Sequence, residues 1–484
     1  MRRRRTVYFN DARHYYLFVF EPPIRMEEAW VPIDEIAGTA VDTFSYGVSR
    51  GDGLFYPSKQ GIMFGDDLQP FQHAHEFRSW KNMQSLIARG LDPLQVLIDR
   101  SHHKGLEFFA SLRLGNYGGM NPDHSVANGG RGFVHNEVRE HQLAIIEELV
   151  EDYEIDGLEL DFAAAPGGSP FWLQKEDVPE YSSLITEFIS KAADIAGSRS
   201  NGEIPLGARI YPTESLNTET GLEIRTWLER GLMDFVVPLI YADFILDANM
   251  PIEWLVEAAH QNDISVYAML QPYCRDESRR FYSVQNASNQ QMAAAAANFW
   301  QMDVDGLYTW FLSWPLGDPE RRLLTDIGDP DNVQEADKHY FLRRSSEGVK
   351  GHEYPAILPV DITPGSNAVL PFVIADDATN PRLTETILRL GVTNLISGDS
   401  LAITLNGQSL AQESWKREFI RNRDPYAGQW LEIDLRKVRP AKGSNVLEVK
   451  LEGRPEGFAG KITVEEVEVL VRYGVYGGVE GDQL

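Results

Sequence analysis

The sequence predicts an α/β chain in which a (β/α)₈ barrel is followed by an all-β, jelly-roll-like sandwich. Three observations carry this expectation. From about Tyr15 to Trp314, short apolar runs alternate with helical patterns about every 30 to 45 residues, as repeated βα units do. A charged stretch, Gly328 to Lys350, then interrupts the pattern. Beyond Gly351 the apolar residues recur with a period of two, which suits strands with one buried face.

Eight strands are expected in the first part: Tyr16 to Glu21, Val41 to Gly47, Leu106 to Leu114, Gly157 to Phe162, Pro205 to Tyr211, Phe235 to Asp243, Ser265 to Tyr273 and Gly306 to Trp314. Amphipathic helical segments fall between them, among them Glu137 to Tyr153, Pro179 to Gly197, Ile252 to Gln261 and Asn289 to Gln301. Two connections are long, Ser49 to Gly90 and Gly115 to Asn136, and both would overhang the carboxyl ends of the strands. In the second part, Asn406-Gly407 between two apolar runs is a two-residue hairpin signal. Trp430 to Leu435, Asn445 to Leu451 and Ile462 to Tyr473 alternate as strands. The expected division is therefore a barrel over 1–328, a charged connection over 329–350 and an accessory sandwich over 351–484. Covering barrel helices or forming a homo-oligomer contact is the expected work of the sandwich.

Length and composition bound the alternatives. With 484 residues, 43% apolar and 24% charged, the chain is long enough for two or three domains and has ordinary globular composition. Acidic residues exceed basic ones by 27, a balance that disfavours nucleic-acid backbones and anionic lipid surfaces as partners. No apolar window is long enough to span a bilayer. The basic run Arg2 to Arg5 is not followed by a signal-peptide core, so a cytoplasmic protein is expected if Met1 is the true start. The lone Cys274 excludes an internal disulfide framework and is expected to be a buried thiol.

The most informative segment is Asp156-Gly157-Leu158-Glu159-Leu160-Asp161-Phe162. Strand alternation sends Leu158, Leu160 and Phe162 outward and Glu159 and Asp161 into the lumen. Carboxylates in a barrel lumen are expensive unless paired or used. Glu159, one layer down, is expected to pair with an inward arginine such as Arg113 or Arg209. Asp161 falls at the carboxyl end of its strand, where barrels place catalytic groups.

Asp156 to Pro166, read D-G-L-E-L-D-F-A-A-A-P after an I-I-E-E-L-V-E-D-Y helix, resembles the fourth-strand pattern of the family 10-like barrel glycoside hydrolases. V-V-P-L-I-Y-A-D-F, Y-A-M-L-Q-P-Y, D-V-D-G-L-Y-T-W-F and the terminal sandwich follow in the order that resemblance implies. It implies hydrolysis of a glycosidic bond in an oligosaccharide or glycoside, with no cofactor. A weaker likeness to family 18 chitinases fails at one position, because their general acid would fall at Ala163.

Glycosidases generally need two carboxyls flanking the scissile bond, and a pair on one strand approaches from one side only. The sixth strand supplies Asp243, on the same face as Tyr241. Asp161 and Asp243 then resemble, by position, the nucleophile and acid/base of the retaining α-galactosidase clan. Asp161 is expected to be held ionised by the arginines, and Asp243 to be the protonated acid in an apolar setting. Glu21 is the next carboxylate to consider. Tyr46, Arg113, Asn116, Glu159, Arg209, Tyr211, Tyr241, Gln271, Tyr273, Trp310 and Trp314 are expected to line the substrate site.

Two readings from other classes compete. His73-Ala74-His75 has the H-x-H spacing of metal-dependent hydrolases, but it follows the second strand and lacks the further histidines such sites need, so no metal is expected. Alternatively, the acid missing at Ala163 suggests a catalytically inactive barrel that binds glycan.

Overall fold

The computed structural model describes residues 2–474 except 12–15, 51–52, 116–117, 163–170, 241–243, 276–283, 311, 345–353, 355 and 420–427. Its first part is a closed barrel of eight parallel strands. They are β1 (Arg5–Asp11), β2 (Thr43–Gly47), β3 (Glu107–Arg113), β4 (Gly157–Asp161), β5 (Leu206–Ile210), β6 (Phe235–Pro238), β7 (Ser265–Leu270) and β8 (Gly306–Thr309), with β1 pairing β8 to close the ring. The expected helices are present as α3 (Asn136–Asp152), α4 (Val178–Gly197), α5 (Glu253–His260) and α6 (Asn289–Gln301), preceded by α1 (Ala74–Ile87) and α2 (Pro93–Lys104).

One strand was misplaced by the sequence pattern. Tyr16–Val19 is a helical turn, and the first strand is Arg5–Asp11. A short apolar run can be a strand or a buried helical segment, and periodicity cannot decide between them. Tertiary packing decides here: Leu17 is buried against α1, and Asn82 Nδ2 donates to the carbonyls of Leu17 (2.7 Å) and Phe20 (2.8 Å). Arg5 belongs to the barrel because its charge is satisfied at the base of the lumen, by Glu107 (3.0 Å) and the Tyr267 hydroxyl (2.9 Å). The long connection after β2 is also not all loop, since it contains α1 and a small hairpin, Ser49–Arg50 with Gly53–Leu54. The connection after β3 holds three short 3₁₀ turns.

Two apolar layers form on the two faces of the barrel wall. Leu158, Leu160 and Phe162 join the layer between strands and helices, while Val7, Phe9, Phe109, Phe235, Val237, Tyr267, Met269, Tyr308 and Trp310 fill the lumen. Gly157 and Gly207 face the rings of Phe109 and Phe235 and leave no room for a Cβ, so these two glycines let large rings plug the lower lumen. No described helix is long and apolar enough to cross a membrane.

The second part consists of antiparallel sheets. Strands β9 (Lys338–Phe341), β10 (Val360–Ile362), β12 (Leu383–Thr393), β15 (Trp415–Phe419), β16 (Gly428–Asp434) and β18 (Ile462–Tyr473) form one sheet; β11 (Asn367–Ile374), β13 (Ser400–Leu405), β14 (Gln408–Ser409) and β17 (Gly443–Gly453) form the other. The hairpin at Asn406-Gly407 has φ of 51° and 77°, the left-handed pair that a two-residue turn requires. Leucine, valine and isoleucine side chains from both sheets share one core, into which Ala294 of α6 also packs. Within the stretch read as a charged connection, Lys338–Phe341 is a strand paired with β18.

Candidate active site

The site is built where the lumen stops being apolar. Above Phe109 and Phe235, the inward positions become Ser45 on β2, Ser111 on β3, Glu159 on β4, Arg209 on β5 and Tyr308 on β8. Glu159 is fully buried; its Oε1 lies 2.7 Å from Arg209 Nε, accepts from Ser111 Oγ (2.6 Å) and lies 3.2 Å from the Tyr308 hydroxyl. That hydroxyl accepts from Arg209 Nη2 (2.6 Å) and sits 2.7 Å from Ser45 Oγ. Among the described residues, Glu159 Oε2 has no hydrogen-bond partner. Burial pushes the Glu159 carboxyl up, and the neighbouring Arg209 only partly opposes it. Burial likewise pushes the Tyr308 hydroxyl well above its usual range.

One layer higher, at the rim, Asp161 Oδ2 lies 3.3 Å from Arg113 Nε and 3.8 Å from Arg209 Nη1. Arg113 extends its Nη2 to within 3.7 Å of Asp11 Oδ2, at the carboxyl end of β1. Asp11 and Asp161 are both nearly inaccessible. Because both touch the one planar guanidinium of Arg113, their carboxylate oxygens lie within roughly 9 Å of each other. Arg209 is sandwiched by rings, with Phe9 3.8 Å from its guanidinium carbon and Tyr308 and Trp310 each 5.0 Å away. Such stacking holds the guanidinium in place without using its hydrogen-bond donors.

The structure thus brings Glu159, Asp161, Arg113, Arg209 and Trp310 together, and adds Asp11, Ser45, Ser111 and Tyr308. Gln271 is buried, and its Nε2 donates to the carbonyl of Ile240. Tyr273 is half-buried in the hairpin Tyr273–Arg275 with Val284–Asn286, edge-on to Phe244 at 6.3 Å, and burial raises its hydroxyl pKa. Three sequence candidates stand elsewhere. Tyr46 faces outward, packed on Phe44 and Phe108 in the helix layer, because Ser45 and Gly47 take the inward positions. Tyr211 is wholly buried near Trp172 (6.5 Å), where Asn217 brackets its backbone. Glu21 does not end a strand; it is 71% exposed and pairs with Arg78 on α1. Trp314 packs edge-on to Phe20 at 6.0 Å. Asn116, Tyr241 and Asp243 lie outside the described residues.

His73 and His75 stack on each other at 5.5 Å at the start of α1. No group of three or more metal-ligating side chains occurs among the described residues. Burial pushes the Cys274 thiol up to about 12.

No family model matches the chain, and no curated protein matches it. Solved structures with a similar course include a cycloisomaltooligosaccharide glucanotransferase from Paenibacillus sp., at 11% identity and a TM-score of 0.35, covering 96% of this chain. This chain spans only 57% of that one. Two others are α-L-fucosidase isoenzyme 1 from Paenibacillus thiaminolyticus (12% identity, 93% of this chain and 97% of that one, TM-score 0.37) and an α-L-fucosidase from Bacteroides thetaiotaomicron (10% identity, 94% of each chain, TM-score 0.38). Identities and TM-scores this low say nothing of the site.

Proposed function

We propose that the protein is a glycoside hydrolase, probing an oligosaccharide or glycoside at the carboxyl-terminal face of the barrel and cleaving it with retention. The observation that carries this reading is Asp161: a nearly inaccessible carboxylate at the end of β4, flanked by Arg113 and Arg209 and standing above the buried Glu159. In this reading Asp161 attacks the anomeric carbon, and Asp243 protonates the departing oxygen, then deprotonates the water that releases the sugar. Glu159 does not touch substrate; it fixes Arg209 so that the guanidinium faces Asp161. Asp11, which shares Arg113 with Asp161, is the second carboxylate to test beside Asp243 and replaces Glu21 in that place. The units proposed are a catalytic barrel over 1–328, a connection over 329–350 and a sandwich over 351–484.

The test uses a panel of 4-nitrophenyl glycosides and natural oligosaccharides. Asp243→Asn should slow natural substrates far more than those with activated leaving groups, and product anomers followed by NMR should keep the starting configuration. If Asp243→Asn leaves natural substrates unaffected and Asp11→Asn shows that pattern instead, the acid is Asp11. Absence of turnover across the panel, with binding retained, would favour a glycan-binding barrel.

A further inference from the structure

From Ile245 to Asn249, in the segment that follows β6, each residue is tied to something outside its own loop. Ile245 bridges to Tyr273, and the Leu246 amide donates to the Tyr273 carbonyl (2.8 Å). The Asp247 carboxylate uses its two oxygens differently. Oδ1 accepts the Asn249 amide (2.9 Å) and closes the turn, while Oδ2 takes Arg343 Nε (3.2 Å) and the Tyr354 hydroxyl (2.9 Å). Asn298 Nδ2 reaches from α6 to the Ala248 carbonyl (2.9 Å). Asn249 donates to the Phe341 carbonyl (3.0 Å) on β9 and accepts from the Val373 amide (2.8 Å) on β11.

Arg343 and Tyr354 come from the chain just after it leaves the barrel. They are buried, and the guanidinium lies 4.4 Å over the Tyr354 ring while Nη2 donates to the Tyr354 carbonyl (3.2 Å). A small void, with room for about one water, lies against this clamp. Asp247, Arg343 and Tyr354 line it together with Leu239 and Met269 at the ends of β6 and β7 and with Gln271, the residue after β7. Gln271 is 3% exposed; its Nε2 is held by the Ile240 carbonyl, and among the described residues its Oε1 has no hydrogen-bond partner, so packing around the void fixes that end. A buried ion pair gives little net stability over apolar side chains of the same volume, but it holds a single geometry.

We infer that Arg343 and Tyr354 are positioning residues, through which the C-terminal part of the chain fixes the β6–β7 side of the barrel rim. The inference rests on the glycosidase reading for its activity test only. In the full chain, Tyr354→Phe and Arg343→Met should each lower kcat roughly 10-fold on the 4-nitrophenyl glycoside that the unaltered protein cleaves best, with KM changed less than about 2-fold, since small displacements of positioned groups act on the reacting geometry. Arg343→Lys should recover part of the loss. Unchanged kcat in folded variants would overturn the inference, as would a fall in kcat that only follows a fall in Tm and is not relieved by Arg343→Lys. Hydrogen exchange reads the same point without turnover: amides of 264–274 should exchange roughly 10-fold faster in Tyr354→Phe, as loss of a local tie lowers opening energy. If no glycoside is cleaved but exchange rises as stated, the glycosidase reading fails and the positioning role stands; unchanged exchange overturns the positioning role.

Discussion

Both halves of the molecule bury charge, and they do so in opposite ways. In the sandwich, Arg454 and Asp399 meet through two parallel bonds of 2.8 and 2.9 Å, both side chains being almost fully buried. The remaining Arg454 donors reach the carbonyls of Gly460 and Asn394, and Asp399 Oδ2 also accepts the Ile396 amide. Lys338 is equally well enclosed, by Asp376 (2.7 Å) and the carbonyls of Gln334 and Ala336. Both of these buried cations are balanced locally. In the barrel, three acids, Asp11, Glu159 and Asp161, share two arginines, and Glu159 Oε2 has no partner among the described residues. In the sandwich each buried cation is matched to its own acid, whereas at the barrel rim the same arginines serve more than one acid, an arrangement that is common at functional sites.

The largest expected effect tests the barrel side of that contrast. Asp161→Asn should lower kcat by about 10⁴-fold, roughly 5 kcal/mol of barrier, while leaving saccharide binding and Tm nearly intact. Steady-state kinetics with calorimetric binding decide it. A variant that loses binding and stability in proportion to activity would make Asp161 a structural acid like Asp399.

Next in size are the paired arginines. Arg454→Met strands a buried Asp399 and should cost about 3–5 kcal/mol in urea unfolding, without lowering kcat of the folded fraction. Arg209→Met should do the reverse: activity is lost, but destabilisation is smaller, because burial pushes the Glu159 carboxyl up, and an acid that can take a proton loses less than a fixed carboxylate when its cation is removed. Equal losses of stability in the two variants would erase the distinction between the two clusters.

Much of this arrangement was legible in the sequence. Alternating apolar runs located seven of the eight barrel strands, and the parity of Leu158, Glu159, Leu160 and Asp161 gave the outward layer and an arginine partner for Glu159, left open between Arg113 and Arg209, of which the structure pairs Arg209. Asp11 was not found, because the first strand was assigned to the apolar run at Tyr16. The spacing carried a signal: Tyr16 to Val41 is shorter than the other repeats, whereas Arg5 to Thr43 fits them. Tyr46 was misread for want of parity. In Phe44-Ser45-Tyr46-Gly47 the large residues go outward, as in β4, and the small ones inward. The Arg343–Asp247 clamp could not be read at all, since its partners stand 96 residues apart and neither belongs to a local motif.

The smallest expected effect concerns an acid outside both clusters. Glu35 follows the short helix Val31–Asp34, and burial pushes its carboxyl up from 4.5 to about 8. For an acid raised in the folded state, the folded protein holds more protons than the unfolded chain between those two values. Its contribution to stability is therefore fully present below pH 4.5 and is lost as pH rises through about 8, with a slope of at most about 1.4 kcal/mol per pH unit. Glu35→Gln keeps the shape and removes the titration, so urea midpoints of the variant should fall less between pH 5 and 8 than those of the unaltered protein. Because the groups that act on Glu35 are Trp314, Leu316 and Arg321 and not Asp161, Arg113 or Arg209, the pH profile of kcat should not move with it. A shift in that profile would place Glu35 among the groups that serve the rim, and the charge that matters to function would then extend beyond the lumen.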